Sequence, residues 1–159
     1  RRIFFMNSTN LHHLCDVEYE VWPNPKLIPD AQGRLWDALR RKWVVGTPEE
    51  YVRQHFLRRA ILAAHYPPEV IAVERGLSVH GQPKRFDAVV FHQGKPWMLV
   101  ECKAPHIPLN DAVCVQWMRY NLPLEAPWGW LTNGVTDRFF AADGRELPPV
   151  LPAFGTFAL

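Results

Sequence analysis

Three polar side chains stand where a folded chain seldom keeps them. The stretch "WMLVECKAP" (97–105) runs through four apolar residues and then delivers Glu101, Cys102 and Lys103. A short apolar run bounded by turn formers reads as a buried strand. A strand's period of two puts Glu101 and Lys103 on one face. Fourteen positions upstream of Glu101, Asp87 lies in a second strand-like run, "RFDAVVF", and the turn "HQGK" joins the two. If that turn closes as a three-residue loop, Gln93-Gly94-Lys95, Asp87 falls opposite Glu101. Opposed side chains in an antiparallel pair have Cβ atoms about 5 Å apart. Two carboxylates so close repel, and one titrates abnormally unless a cation lies between them. A few carboxylate oxygens, with positions left open for water and phosphate, suit Mg²⁺. Lys103, one pleat along, is then placed to orient a water or to stabilise anionic charge on phosphorus. These residues point to metal-assisted hydrolysis of a phosphate ester, with Asp87 and Glu101 as the metal ligands.

The elements that must position them are legible from punctuation and period. Thr47 is a good N-cap, Pro48 fits the first helical position and Glu50 completes a capping box. Val52, Phe56, Leu57, Ala60, Ile61 and Ala64 then form one apolar stripe at helical spacing, and Pro67-Pro68 stops the helix. "VIAVERGLSV", "RFDAVVF" and "PWMLVECK" predict three strands with turns at "HGQP" and "HQGK". A second helix is expected over "NDAVCVQWMRYN", capped by Asn110 or Asp111. A strand follows at "WGWLTNG", with a further one at "DRFFAAD". The order helix, three strands, helix, strand predicts an α/β layer in which an antiparallel meander is joined to at least one parallel crossover strand. Before it, residues 1–46 form an extension with a Pro-rich kink ("WPNPKLIPD") and one or two short strands. After the 47–143 core, residues 144–159 read as a Pro-rich tail.

Asp87 with Glu101-Cys102-Lys103 resembles the signature of the PD-(D/E)xK nuclease superfamily, with Phe86 where the signature name has proline. The element order is similar to that superfamily's core. This implies a restriction-endonuclease-like fold: a mixed central sheet flanked by helices in the order α-β-β-β-α-β. Gln116 and Tyr120, four apart on the second helix and so on one face, resemble the QxxxY motif of RecB-type nucleases. More closely, "LRRKWVVGTPEEYVRQHFL", "IAVERGL", "VECKAP", "Q..RYN" and "LTNG", over roughly 35–140, resemble the N-terminal nuclease domain of type I restriction enzyme R subunits.

The resemblance implies a DNA endonuclease, in preference to an exonuclease, that uses Mg²⁺ or a substituting Mn²⁺. Asp87 and Glu101 would hold the metal and Lys103 would position or activate the attacking water. Gln116 and Tyr120 would orient the phosphate or the lysine. These families also carry a glutamate on the first helix. Here Glu49 lies in the middle of the stripe of Val52, Phe56 and Ala60, whereas Glu50 lies nearer its edge with a capping role. Geometry favours Glu49 and leaves Glu50 open. R subunits continue into an ATP-driven translocase, but this chain has no G-x-x-x-x-G-K-[ST] loop. The expectation is therefore a stand-alone nuclease-like protein or one excised domain, without ATP dependence, whose partner subunits the sequence does not name.

Composition bounds the rest. With 159 residues, 48% hydrophobic and 21% charged, the chain is ordinary globular material for one domain. No apolar run approaches the roughly 18 residues of a membrane span, and "RRIFF" is too short for a signal-peptide core. Cys15, Cys102 and Cys114, odd in number and widely spaced, predict reduced thiols in a cytoplasmic protein. Cys102, pointing away from Glu101, reads as a small core residue. His12 and His13 form no metal-ligand spacing with the cysteines. Net charge is only +2, so no overall basic field declares a nucleic-acid partner, although Arg40-Arg41-Lys42 and Arg58-Arg59 form local basic runs. Two rivals remain: a DNA-binding or assembly module of the same fold without turnover, and an RNA-directed nuclease.

Overall fold

The computed structural model describes residues 27–157, apart from the side chains of Tyr120 and Leu122. His12, His13 and Cys15, and any strand before residue 27, lie outside the described residues. The described chain opens on an antiparallel hairpin, β1 (Arg34–Asp37) and β2 (Lys42–Val45). Leu35 and Val44 turn inward to pack with Leu27 and Tyr51. Helix α1 (Pro48–Arg58) starts where the cap predicts, because the Thr47 side chain accepts the Glu50 N–H at 3.1 Å. The reciprocal half of the capping box is absent. The Thr47 N–H goes to the Val45 carbonyl instead, which frees the Glu50 carboxylate for other partners. The helix was expected to run regularly to the prolines. Its last turn instead widens into a π-helical turn over Arg59–Ala63, and the chain leaves through His65 in the left-handed region (φ 58°).

Six strands follow in a single sheet: β3 (Ile71–Val79), β4 (Gln82–His92), β5 (Lys95–Cys102), β6 (Trp128–Thr132), β7 (Asp137–Ala141) and β8 (Glu146–Leu147). They lie side by side in chain order. All neighbours are antiparallel except β5 and β6, whose parallel pairing is made by the crossover through α2 (Asp111–Asn121). The expected meander with one parallel crossover is what the chain forms. Asn110 caps α2, its side-chain oxygen accepting the Val113 N–H at 2.9 Å.

The helices cover opposite faces. Val52, Phe56 and Leu57 of α1, with Ala60 of the π-helical turn, pack with Ala88, Val90, Met98, Val100, Cys102 and Trp130. Cys114 and Trp117 of α2 pack with Val89, Leu99, Leu131 and Phe140. Cys102 is buried and free, as is Cys114. Where α2 crosses β6, the Trp117 indole lies directly on Gly129, so that a Cβ there would fall inside the ring.

The β4–β5 connection departs from expectation and still delivers its consequence. The turn holds two residues, Gln93 and Gly94, both at positive φ (50° and 73°), which is the twist that tight hairpins favour. Alone, that would shift Asp87 out of line with Glu101. A bulge at Trp97 inserts one residue into β5 between Phe91↔Pro96 and Val90↔Met98 and restores the register. The bulged Trp97 is fully buried and its Nε1–H donates to the Thr156 carbonyl at 2.8 Å. Trp128 Nε1–H donates to the same carbonyl at 2.9 Å, and the Tyr66 hydroxyl donates to the Pro152 carbonyl at 2.7 Å. The segment read as a tail therefore closes the end of the sheet remote from Glu101.

Two outcomes test this packing. Gly129→Ala is expected to lower stability by about 1–3 kcal/mol, the range for overpacking a filled core, read as a fall in the urea midpoint. His55, buried on α1 and facing the Arg59 guanidinium, has its pKa pushed down to about 4, first by burial and then by Arg59. A depressed histidine stays neutral in the fold while the unfolded chain takes up a proton. Stability is therefore intact above pH 6.5 and falls as pH drops towards 4, by up to about 3 kcal/mol. Unfolding curves across that range should show the loss, and His55→Gln should flatten it.

Candidate active site

The sheet opens at one point on β4. The β3–β4 ladder skips from Val73↔Ala88 to Arg75↔Phe86, leaving Glu74 opposite Asp87 and unpaired, with Glu74 in the left-handed region (φ 53°). On the other side the β4–β5 ladder ends at Ala88↔Val100. Beyond it the Cys102 N–H donates to Asp87 Oδ2 at 2.7 Å, a side chain taking the place of a strand carbonyl. Continued by one step, that register sets Asp87 across from Glu101. The parallel side is intact, and the Lys103 N–H extends it by donating to the Thr132 carbonyl at 2.8 Å.

Lys103 Nζ lies 3.3 Å from Glu101 Oε1, with the two side chains 33% and 21% exposed. The three predicted residues are thus brought to one half-buried corner that solvent reaches. Burial raises the pKa of Glu101, and the charge of Asp87 raises it further. Asp87 is also raised, by burial first and by Glu49 as well, against the lowering effects of the Cys102 N–H, Arg53 and Lys103. Both carboxylates therefore hold protons more readily than free acids do, chiefly because burial disfavours their charged forms.

The first-helix acids exchange the positions expected of them. Glu49 is exposed, and its charge is nonetheless felt at Asp87. Glu50 is buried and receives Arg40, Gln54 Nε2 at 3.0 Å and Arg53 at 3.3 Å. The stripe's axis does not locate burial here, because α1 is buried almost all round from Val52 to Arg58 while its first turn meets the β1–β2 side. Gln116 is exposed on α2. The Tyr120 side chain lies outside the described residues.

Three neighbours escape the sequence reading. Arg53 is 7% exposed and stands 3.7 Å from Asp87 Oδ1 and 3.5 Å from Glu74 Oε1. Its Nε has no hydrogen-bond partner among the described residues. Arg40 reaches from the β1–β2 turn to Asp37 at 2.6 Å, to Glu50 and to Glu74 at 3.0 Å. Lys84 places Nζ 5.3 Å over the Phe86 ring, and its charge acts on Glu101. The i,i+3 spacing of Glu50 and Arg53 was a usable signal. So was the two-residue closure at His80-Gly81, which aligns Glu74 with Asp87.

Residues 48–147 match the family model of the type I restriction enzyme R protein N terminus. The chain belongs to that family. No curated protein sequence matches it. The match runs from the first residue of α1 to the last of β8, so the R-protein N-terminal domain contains the whole sheet and the Asp87 corner, whereas the β1–β2 hairpin precedes it. In this domain Asp87 and Glu101 are the residues that could hold a divalent ion. Among the described residues no group of three or more His, Cys, Asp or Glu is gathered for a metal. The donor set is nonetheless of the right chemistry for a hard cation: two partly buried carboxylates on neighbouring strands.

The ion-pair network makes a direct prediction. Four carboxylates (Asp37, Glu50, Glu74, Asp87) meet three guanidiniums (Arg40, Arg53, Arg85), of which Arg53 is buried and Arg85 is 68% exposed. Arg53→Met leaves buried acids without their counter-charge and is expected to cost about 3–5 kcal/mol. Arg85→Ala should cost at most about 1 kcal/mol. Urea midpoints of the two variants, compared with the parent, read the contrast.

Proposed function

We propose that the chain is a Mg²⁺-dependent DNA nuclease of the PD-(D/E)xK type, an endonuclease. One observation carries the reading: Asp87 and Glu101 face each other where the sheet opens, with the Lys103 ammonium 3.3 Å from Glu101, in a chain of the restriction R-protein family. The reaction is attack of a water oxygen on phosphorus, forming one P–O bond and breaking another. The attacking water's proton passes to a base and the leaving oxygen ends as a hydroxyl. Mg²⁺ held by Asp87 and Glu101 would acidify water and offset charge on the phosphate, with Mn²⁺ as a substitute.

The chain's own part is to hold and orient. The Cys102 N–H fixes Asp87 through Oδ2 and leaves Oδ1 as the available oxygen. Lys103 offers its ammonium to the water or to a phosphate oxygen from the partly exposed side of Glu101. Glu49, exposed at the rim, suits a water-mediated contact or the role of base, while Glu50 is engaged with Arg40 and Gln54. Gln116 and Tyr120 are the expected contributors from α2.

A second reading, a DNA-binding or assembly module without turnover, has one observation in its favour. Arg53 already stands beside Asp87, and no third ligand joins the pair among the described residues. Plasmid nicking separates the two. The parent is expected to nick with Mg²⁺ and not with chelator. Asp87→Asn, Glu101→Gln and Lys103→Met should each lose roughly 10²–10⁴-fold in rate while melting within a few degrees of the parent. An Asp87→Asn variant as active as the parent would remove the site assignment. A parent that shifts DNA on a gel but never nicks it with either metal establishes the second reading.

A further inference from the structure

Asn133, the residue after β6, is polar and only 5% exposed. Its amide works in two directions. Oδ1 accepts the Val135 N–H at 2.9 Å and the Thr136 N–H at 2.7 Å, and so folds the β6–β7 turn. Nδ2 points out of that turn and donates to the Ile107 carbonyl at 2.9 Å. Ile107 ends the tight turn that follows β5. Its N–H donates to the Ala104 carbonyl at 3.0 Å, with Pro105 in the position that proline favours.

Lys103 stands between two attachments to the same strand end. It lies past the last pair of the β5–β6 ladder, Cys102↔Thr132, and its N–H donates to the Thr132 carbonyl at 2.8 Å. The turn that begins at the next residue, Ala104, is held by Asn133. Farther along the same loop, Arg138 Nη1 donates to the Leu109 carbonyl at 3.0 Å, so the stretch beside Lys103 is left to Asn133. The β6–β7 turn by itself does not call for an amide. An aspartate accepts the same two N–H groups in an Asx turn, but an ionised carboxylate has no hydrogen to give Ile107. The donor half of Asn133 therefore serves the loop after Lys103 and not its own turn.

We infer that Asn133 is a positioning residue for Lys103: its bond to the Ile107 carbonyl fixes the turn after β5 and keeps the Lys103 ammonium beside Glu101. This rests on the nuclease reading, in which that ammonium serves the water or the phosphate. A displacement of about 1 Å near the reacting atoms costs on the order of 100-fold in rate. A loosened turn is therefore felt at the chemical step and not in DNA binding.

The test compares variants of the full chain. Asn133→Asp keeps the acceptor of the turn and loses the donor, whereas Asn133→Ala loses both. Gly134→Ala strains the same turn, where Gly134 is left-handed (φ 82°), and leaves the Ile107 bond in place. In plasmid nicking with Mg²⁺, both Asn133 variants are expected to lose about 10- to 100-fold in kcat with KM for DNA unchanged. Gly134→Ala is expected to melt lower and keep the parent's kcat. A second readout needs no turnover. With carbon-13-labelled lysine, the two Cε protons of Lys103 give separate NMR signals while the ammonium is held, and they merge when it swings freely. Lys103→Met assigns them. The parent and Gly134→Ala should show the split pair, the Asn133 variants a merged one. The proposal is overturned if the parent's pair is already merged, if the Asn133 variants keep it split, or if they merge it with kcat unchanged. It is overturned equally if Gly134→Ala merges the pair and loses kcat as they do. Should Asn133→Ala fail to fold, Asn133→Asp decides. A split pair in a parent that never nicks, merged in the Asn133 variants, supports the positioning and refutes the nuclease reading.

Discussion

The hydrogen bond from the Cys102 N–H to Asp87 Oδ2 decides the character of one end of the molecule. In an uninterrupted antiparallel ladder that N–H would find a carbonyl of β4. The carboxylate takes it instead, so β4 and β5 part after Ala88↔Val100. On the opposite edge of β4, Glu74 leaves its own ladder through a left-handed backbone. A non-glycine residue held there costs about 1–2 kcal/mol and persists only where its surroundings enforce it. Those surroundings are Arg40, Arg53 and Arg85, all converging on the Glu74 carboxylate. One acid therefore sits at the junction of two interrupted pairings, with a second acid across each gap.

The two ends of the sheet manage their polar groups in opposite ways. At the remote end the C-terminal segment supplies the acceptors: the Thr156 carbonyl receives both indole N–H groups, and Pro152 receives the Tyr66 hydroxyl. Phe154 packs edge-on to Trp97 and tilted against Tyr66. At the Asp87 end the bonds are charge-assisted and incompletely satisfied, with Arg53 Nε unpartnered among the described residues. A fold that spends its aromatic packing on closing one end can leave the other charged and open.

The parts of this arrangement that follow from local rules were legible in the sequence. Thr47-Pro48 starts α1, Asn110 starts α2, and the alternation through 85–103 aligns Asp87 with Glu101. The alignment survived an incorrect loop length because two departures cancelled. A two-residue turn shortened the connection, and the bulge at Trp97 restored the register. A bulge leaves no reliable trace in one sequence, since the extra residue is simply another apolar side chain in an apolar run. Glu49 and Glu50 were misjudged for a related reason. Periodicity tells which side of a helix meets a neighbour only where one neighbour lies along it, and the first turn of α1 instead faces the β1–β2 side. Arg53 and Glu74 went unread because each looks like a routine surface charge unless the Glu50–Arg53 spacing and the His80-Gly81 closure are followed through to Asp87.

That network also divides one buried guanidinium among three acids. Buried ion pairs contribute little net stability, because desolvation offsets much of the Coulomb gain. Arg53 is divided among Glu50, Glu74 and Asp87, and at 3.7 Å from Oδ1 it is too distant for a hydrogen bond. Asp87 remains harder to ionise than a free aspartate even so, and Glu101 likewise with Lys103 at 3.3 Å. Burial is the larger influence on both acids, and the fixed cations offset it only in part. Strengthening the Arg53 contact would offset more of it, but a full hydrogen bond to Oδ1 would occupy the oxygen that now stands open. The geometry holds Asp87 by one oxygen through the Cys102 N–H and sets the Arg53 guanidinium 3.7 Å from the other.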